Sequence, residues 1–189
     1  MKFNILIDDP PEIAEVNGRE YAIKTDFKKV LSYLQMLHEK AESDPDDTVF
    51  VLAMFFGKEI RKDDIQGLID FLKWYINRGE EPKEEKKRKK EPLFDILIDS
   101  GRIYSAFFQV YHINLRKVQL HWWTFMELLE GLPKGTHLAE VIDIRGRKFE
   151  KYMKAAEKNE LAELKKHYAI GEQKDTSMGL FESLKGITG

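Results

Sequence analysis

Apolar positions along the first half of the chain recur with the period of a helix. Phe27, Val30, Leu31, Leu34 and Leu37 step by 3, 1, 3 and 3 along one face, with Thr25 or Asp26 placed to cap the start. In "ESDPDDTVFVLAMFFG" a turn at Asp44-Pro45 and a set of acids precede an unbroken apolar run, Val49 to Phe56. That pattern predicts a helix apolar all round, stopped at Gly57, which must be covered on most sides. A third helix, from about Lys62, buries Ile65, Leu68, Ile69, Leu72 and Tyr75 or Ile76, with Gly79 as its C′ residue. Ahead of all three, Asn17-Gly18 between two strand-like runs predicts a β-hairpin closed by a type I′ turn.

The second half is richer in aromatics. "FDILIDSGRIYSAFFQVYHINL" begins extended and then steps through Ile103, Tyr104, Phe107, Phe108 and Tyr111, a helical face that Asp99 or Ser100 can cap, and Asn114 starts the next turn. In "QLHWWTFMELLEGLP", Trp122, Phe125, Met126 and Leu129 share one helix face, Trp123 lies about 100° round, and Gly131 ends the run. "KGTHLAEVIDIRG" predicts a short helix capped by Thr136, and Lys148 to about Tyr168 one long or broken charged helix. "EEPKEEKKRKKEP", Glu80 to Pro92, has no apolar residue and is read as a flexible connector. Gly171 to Gly189, with the small cluster Leu180, Phe181 and Leu184, is read as a mobile tail. No internal repeat is evident. The expected fold is mainly α (α+β): a β-hairpin and helices over 1–79, the charged linker over 80–92, an aromatic-rich helical segment over 93–170 and the tail over 171–189.

Composition narrows the function classes. A chain of 189 residues can bury roughly 70% of its unfolded surface, so a sizeable core is expected. With 31 basic and 33 acidic residues the formal charge is −2, and no global field draws the chain to nucleic acid or to a membrane. The absence of cysteine excludes disulfides, thiolate metal sites and cysteine nucleophiles, and fits a reducing compartment. "MKFNILIDDPPE" breaks into acid and proline after three apolar residues, unlike a signal peptide, and the longest apolar run is far below the roughly 20 residues of a membrane span. A cytoplasmic protein is expected.

Candidate chemistry is sparse. His121 stands next to two tryptophans but has Lys117, Thr124 and Phe125 at helical spacing, so it lacks a ligand-spaced carboxylate or histidine. His137, Glu140 and Asp143 recur every three residues, a spacing equally common on solvated helix faces. No serine sits in a nucleophile elbow, and neither a P-loop nor a dinucleotide-binding glycine turn occurs. The paired acids Asp8-Asp9, Asp46-Asp47 and Asp63-Asp64 sit beside predicted helix starts, where capping accounts for them. "KKRKK" is the one basic cluster, but interleaved glutamates and missing aromatics favour a solvated hinge over a nucleic-acid contact. No catalytic, cofactor-binding or metal-ligating residue is assigned, and the protein is expected to act by binding. Aromatic residues are numerous enough to form a core and to leave some for an interface.

Several of these stretches together resemble the bacteriophage "gene product fifteen" family of long-tailed phages and prophages of Gram-positive bacteria. The likeness runs through Asn17-Gly18, Thr25 to Phe27, the lysine-rich connector, Asp95 and Asp99, Ile103 to Phe107, Tyr111 to Leu115, Leu120 to Phe125, Gly131 to Pro133, Ile144-Arg145 and His167 to Ala169, covering roughly 12 to 170. Departures are His112, where glycine is usual, and Ser105 for alanine. The resemblance implies a gene placed between those of the tail tube and tape measure proteins, where tail assembly chaperones are encoded. A chaperone would bind the tape measure protein, the tail tube protein or both, and leave as the tube forms. The partner surface expected is Phe108, Trp122 and Trp123, with Leu180, Phe181 and Leu184 as a second contact and homo-oligomerisation as a further expectation. Competing readings are a structural head-tail or tail accessory component of the virion, and a nucleic-acid-binding protein using the basic linker.

Overall fold

The structure is a computed structural model that describes residues 4–39, 45–57, 59–80 and 92–170. The described residues divide into two compact units. The first takes residues up to 80 together with Gln119–Glu127, and the second takes 92–118 and 128–170. The segment around the tryptophans, on the far side of the connector in sequence, therefore belongs with the N-terminal half.

In the first unit, β1 (Ile13–Val16) and β2 (Arg19–Ala22) pair antiparallel with Val16 opposite Arg19. Asn17 and Gly18 both take positive φ, 52° and 72°, as a type I′ turn requires. Helix α1 (Phe27–Glu39) begins where Asp26 accepts the Lys28 N–H at 2.9 Å, so Asp26 is the capping residue. Helix α2 (Pro45–Phe56) buries Val51, Leu52, Phe55 and Phe56 but leaves Val49 and Phe50 exposed, so its cover is narrower than its uniform apolarity predicts. It stops where Gly57 takes φ +102° and its N–H returns to Ala53. A short 3-10 turn, Lys62–Asp64, leads into α3 (Ile65–Ile76), whose Leu68, Ile69, Leu72 and Tyr75 are buried. Gly67 lies on α3 because the hairpin presses against it: a Cβ there would sit 2.4 Å from Val16 Cγ1. The left-handed stretch that ends α3 starts at Arg78 (φ 56°) and continues through Gly79 (φ 78°), one residue ahead of the expected C′ position.

In the second unit, α4 (Ser100–Tyr111) ends at His112, which adopts φ 56°. Histidine thus supplies the left-handed cap that glycine would supply at lower cost, and the turn is kept. Helix α5 (Trp122–Glu130) contributes its last residues here, and Tyr111 Oη donates to Leu128 O at 2.9 Å. Thr136 caps α6 (His137–Gly146) by accepting the Ala139 N–H, as its sequence predicts. The charged stretch that follows is broken: Arg147 is extended, and α7 (Ala155–His167) starts only after Glu157 takes the Lys154 N–H.

Two expectations are corrected at the start of this unit. "FDILID" is not extended but turned, because Asp95 O accepts the Asp99 N–H at 2.8 Å and Asp95 Oδ1 accepts Leu97 N–H at 2.9 Å and Ile98 N–H at 2.8 Å. The chain also contains a short internal repeat after all. Asn4-Ile5-Leu6-Ile7-Asp8 matches Asp95-Ile96-Leu97-Ile98-Asp99 in four of five positions, and Asn4 O likewise accepts the Asp8 N–H at 2.8 Å.

The connector, the turn at Asp44, and the tail with Leu180, Phe181 and Leu184 lie outside the described residues, apart from Glu80 and Pro92 at the connector's ends.

Candidate functional site

The two adjacent tryptophans answer a local problem at the end of α3. A helix leaves its last carbonyls without intrahelical donors. Trp123 Nε1 donates to Tyr75 O at 2.7 Å and Trp122 Nε1 to Ile76 O at 3.2 Å, so the two indoles supply N–H groups to the last two carbonyls of α3. Both rings are buried, 1% and 2% exposed, against Trp74, Tyr75 and Phe125. The segment is anchored at the other side of the core by Phe27 N–H to Leu120 O at 2.9 Å and Trp122 N–H to Thr25 O at 2.8 Å, and Phe27 stacks on Phe125 at 4.5 Å. The expectation that Trp122 and Trp123 face a partner is therefore corrected. Their donors are used internally, and rings this large gain most when wholly removed from water.

His121 belongs to the same framework. Its Nδ1 accepts the Trp123 N–H at 3.1 Å, which puts the proton of the neutral ring on Nε2, within 3.3 Å of both Pro11 O and Tyr75 Oη. Burial pushes the imidazole below its ordinary value, against the smaller opposing effects of Pro11 O and Glu12. Tyr75 is pushed up, chiefly by the same burial. The ring joins helix, strand entry and indole, and none of its nitrogens is left to a substrate or metal.

Two buried carboxylates act as staples. Asp64, 0% exposed, makes no capping bond to α3, contrary to the role expected of the acid pairs. It accepts Arg19 Nε at 2.6 Å, Arg19 Nη2 at 2.5 Å, Asn17 Nδ2 at 2.7 Å and the Tyr21 hydroxyl, so three residues of one hairpin converge on it. The Arg19 guanidinium, and then Tyr21 and Asn17, hold this carboxyl far below the usual carboxylate range despite its burial. In the second unit, Asp99, also 0% exposed, accepts Arg145 Nη1 at 2.7 Å and Nη2 at 3.0 Å, Arg102 Nη1 at 2.8 Å and the Asp95 N–H at 3.2 Å. Arg145 also donates to Leu93 O at 3.0 Å and, through Nε, to Tyr168 O at 2.6 Å. Both carboxylates are saturated with donors, which suits a framework and leaves no lone pair aimed at a reacting group.

Of the expected partner-binding residues in the described part, Phe108 alone is open to solvent, 53% exposed on α4. His137 and Glu140 approach to 3.7 Å on an exposed face, while Asp143 pairs with Arg147. Sequence reasoning missed a more exposed apolar group, the turn of Ile5, Leu6 and Ile7, which are 43%, 90% and 80% exposed. Its signal was present as the pentapeptide shared with Asp95 to Asp99.

A family model described as Bacteriophage Gp15 protein matches residues 6–170, across both units. The chain belongs to this family. No curated protein and no solved structure matches it. The Gp15 match stops where the described residues stop, at Ile170, and begins at Leu6, within the exposed turn. Within this bacteriophage family the residues that carried the resemblance have physical roles here. Asp95 and Asp99 build the turn that opens α4, Arg145 clamps it, and the tryptophan pair closes the end of α3. Among the described residues no helix is long and apolar enough to cross a membrane.

Proposed function

We propose that this Gp15-family protein is a tail assembly chaperone, which binds the tape measure protein, the tail tube protein or both in the host cytoplasm and acts by binding, without catalysis. The reading rests on the family match over residues 6–170, joined to the gene position that the resemblance implies. What supports it in the fold is a helical frame with a buried aromatic core that also holds large apolar side chains in solvent: Phe108 on α4 and Val49 on α2. Exposed apolar groups on rigid helices suit a protein that shields helical faces of a client and releases them, in the manner of helix-in-groove recognition.

Co-expression with the tape measure protein encoded beside its gene tests this. A soluble stoichiometric complex that keeps the tape measure protein from aggregating, with the chaperone missing from purified mature particles, is the expected result. Retention in mature particles with no such complex makes the chain a structural component of the virion instead.

A further inference from the structure

The repeated pentapeptide occurs once covered and once bare. In Asn4 to Asp8, Leu6 N–H donates to Asn4 Oδ1 at 3.1 Å and Asn4 N–H to Asp8 Oδ2 at 2.8 Å. In Asp95 to Asp99, Leu97 N–H donates to Asp95 Oδ1 at 2.9 Å and Asp95 N–H to Asp99 Oδ2 at 3.2 Å. The same sequence therefore folds into the same turn twice, with the first side chain tying down position three and the last carboxylate closing on the first N–H.

Their surroundings differ. Asp99 is gripped by the guanidiniums of Arg145 and Arg102, and Ile96, Leu97 and Ile98 are half-buried. Asp8 and the three aliphatic residues before it are exposed. Asp99 also leads directly into α4, whereas Asp8 is followed by Asp9-Pro10-Pro11, and a residue before proline is steered away from helical conformation. The first copy is thus not there to open a helix. An aliphatic turn of this kind in water offers apolar area together with a carboxylate, and the second copy shows what satisfies the carboxylate: guanidiniums.

We infer that the Asn4–Asp8 turn is a docking element for a helical protein segment that presents an arginine beside an aliphatic face, with the arginine meeting Asp8 as Arg145 of α6 meets Asp99. Asp8 takes the guanidinium, a pairing that carboxylates favour when it is bidentate and shielded from water. Leu6 and its neighbours take the aliphatic face. The choice of the tape measure protein as the bearer of that segment rests on the chaperone reading above.

The test uses the full chain co-expressed with tagged tape measure protein, comparing the unaltered chain with Leu6→Asp and Asp8→Asn. Asparagine at position 8 still accepts the Asn4 N–H, so the turn stays closed while the charge is removed; unchanged unfolding midpoints confirm that both variants fold. The expected result is a complex with the unaltered chain, at least a tenfold loss of affinity with Leu6→Asp, and a smaller loss with Asp8→Asn together with a flatter salt dependence. Full binding by both variants overturns the docking element and leaves the chaperone reading standing. Absence of any complex with the unaltered chain overturns the chaperone reading and this contact with it.

Discussion

Arg145 reaches Asp99 across 46 residues of chain with two parallel hydrogen bonds, and gives two further donors to the carbonyls of Leu93 and Tyr168. One guanidinium thereby joins the entry to α4, the end of α6 and the end of α7. With Arg102 still holding Asp99, removing Arg145 does not leave the carboxylate unpaired, and losing charged hydrogen bonds of this kind costs about 1.5–3 kcal/mol. Arg145→Ala is expected to lower the urea midpoint of the protein by that amount of stability. Arg145→Lys restores only part of it, because a single ammonium cannot replace the fork. A midpoint unchanged within error in Arg145→Ala contradicts this account.

The tryptophan pair gives a graded prediction. Trp123→Phe keeps most of the ring but removes the donor to Tyr75 O, which still receives the Arg78 N–H, so a loss of about 1 kcal/mol is expected. Trp123→Ala also opens a cavity and is expected to lose about 3–5 kcal/mol. Equilibrium denaturation followed by far-UV circular dichroism measures both, and an unaltered stability in Trp123→Ala places the ring outside the core.

His112 is the place where the chain can be improved. A non-glycine residue in the left-handed region costs roughly 1–2 kcal/mol, and the His112 side chain is exposed. His112→Gly is expected to raise stability by about 1 kcal/mol, net of glycine's extra entropy in the unfolded chain. Thermal unfolding detects it as an increase in Tm; a decrease means that the imidazole makes a contact worth more than the strain.

Gly67 sets two effects against each other. Alanine is favoured over glycine in a helix interior by about 1 kcal/mol, but the new methyl would meet Val16 Cγ1 at 2.4 Å, and overpacking costs about 1–3 kcal/mol. The clash is expected to win, so Gly67→Ala destabilises. In the background of Val16→Ala the same substitution becomes neutral or stabilising. A double-mutant cycle reads the coupling, and additivity of the two changes rules out the contact.

Acid should loosen the first unit through His121. Its folded value lies below the ordinary 6.5, so the unfolded chain takes up the proton first. The stabilisation is complete above that pH and declines as pH falls below it toward the folded value. Protonation would also place a hydrogen on Nδ1 facing the Trp123 N–H. Glu12 and Tyr75 are the titratable groups beside the ring, and Glu12 weakens the effect without reversing it. Urea midpoints at about pH 7.5 and about pH 5.5 should differ more for the unaltered protein than for His121→Phe; equal differences assign the acid sensitivity to other groups.

Local rules carried much of the fold. The Asn17-Gly18 hairpin, the start of α1 at Phe27, the stop at Gly57 and the Thr136 cap each depend on residues adjacent in sequence, and each is where the pattern put it. The misses share a different cause. Asp64 looked like a helix-start acid because its partners Asn17, Arg19 and Tyr21 lie more than forty residues away. Trp122 and Trp123 looked available for a partner because periodicity does not show that two indole donors are claimed by carbonyls of α3. "FDILID" read as extended, with three consecutive apolar residues, while the aspartate at either end was closing a turn. Of the surface residues, Phe108 is exposed although the pattern set it on one aromatic face with the buried Ile103 and Phe107, and the Ile5 to Ile7 turn was hidden because five residues are too few to register as a repeat.

The return of residues 119–127 to the first unit also fixes an order of events during synthesis. Until Phe125 and the two tryptophans have left the ribosome, α1 has no ring to stack on Phe27 and α3 has no indole donors at its last carbonyls. The first eighty residues must therefore wait, partly open, through the emergence of the connector and α4. A nascent chain halted before residue 119 should be readily cut by protease in its N-terminal half, and one extended until residue 130 has itself left the ribosome should resist.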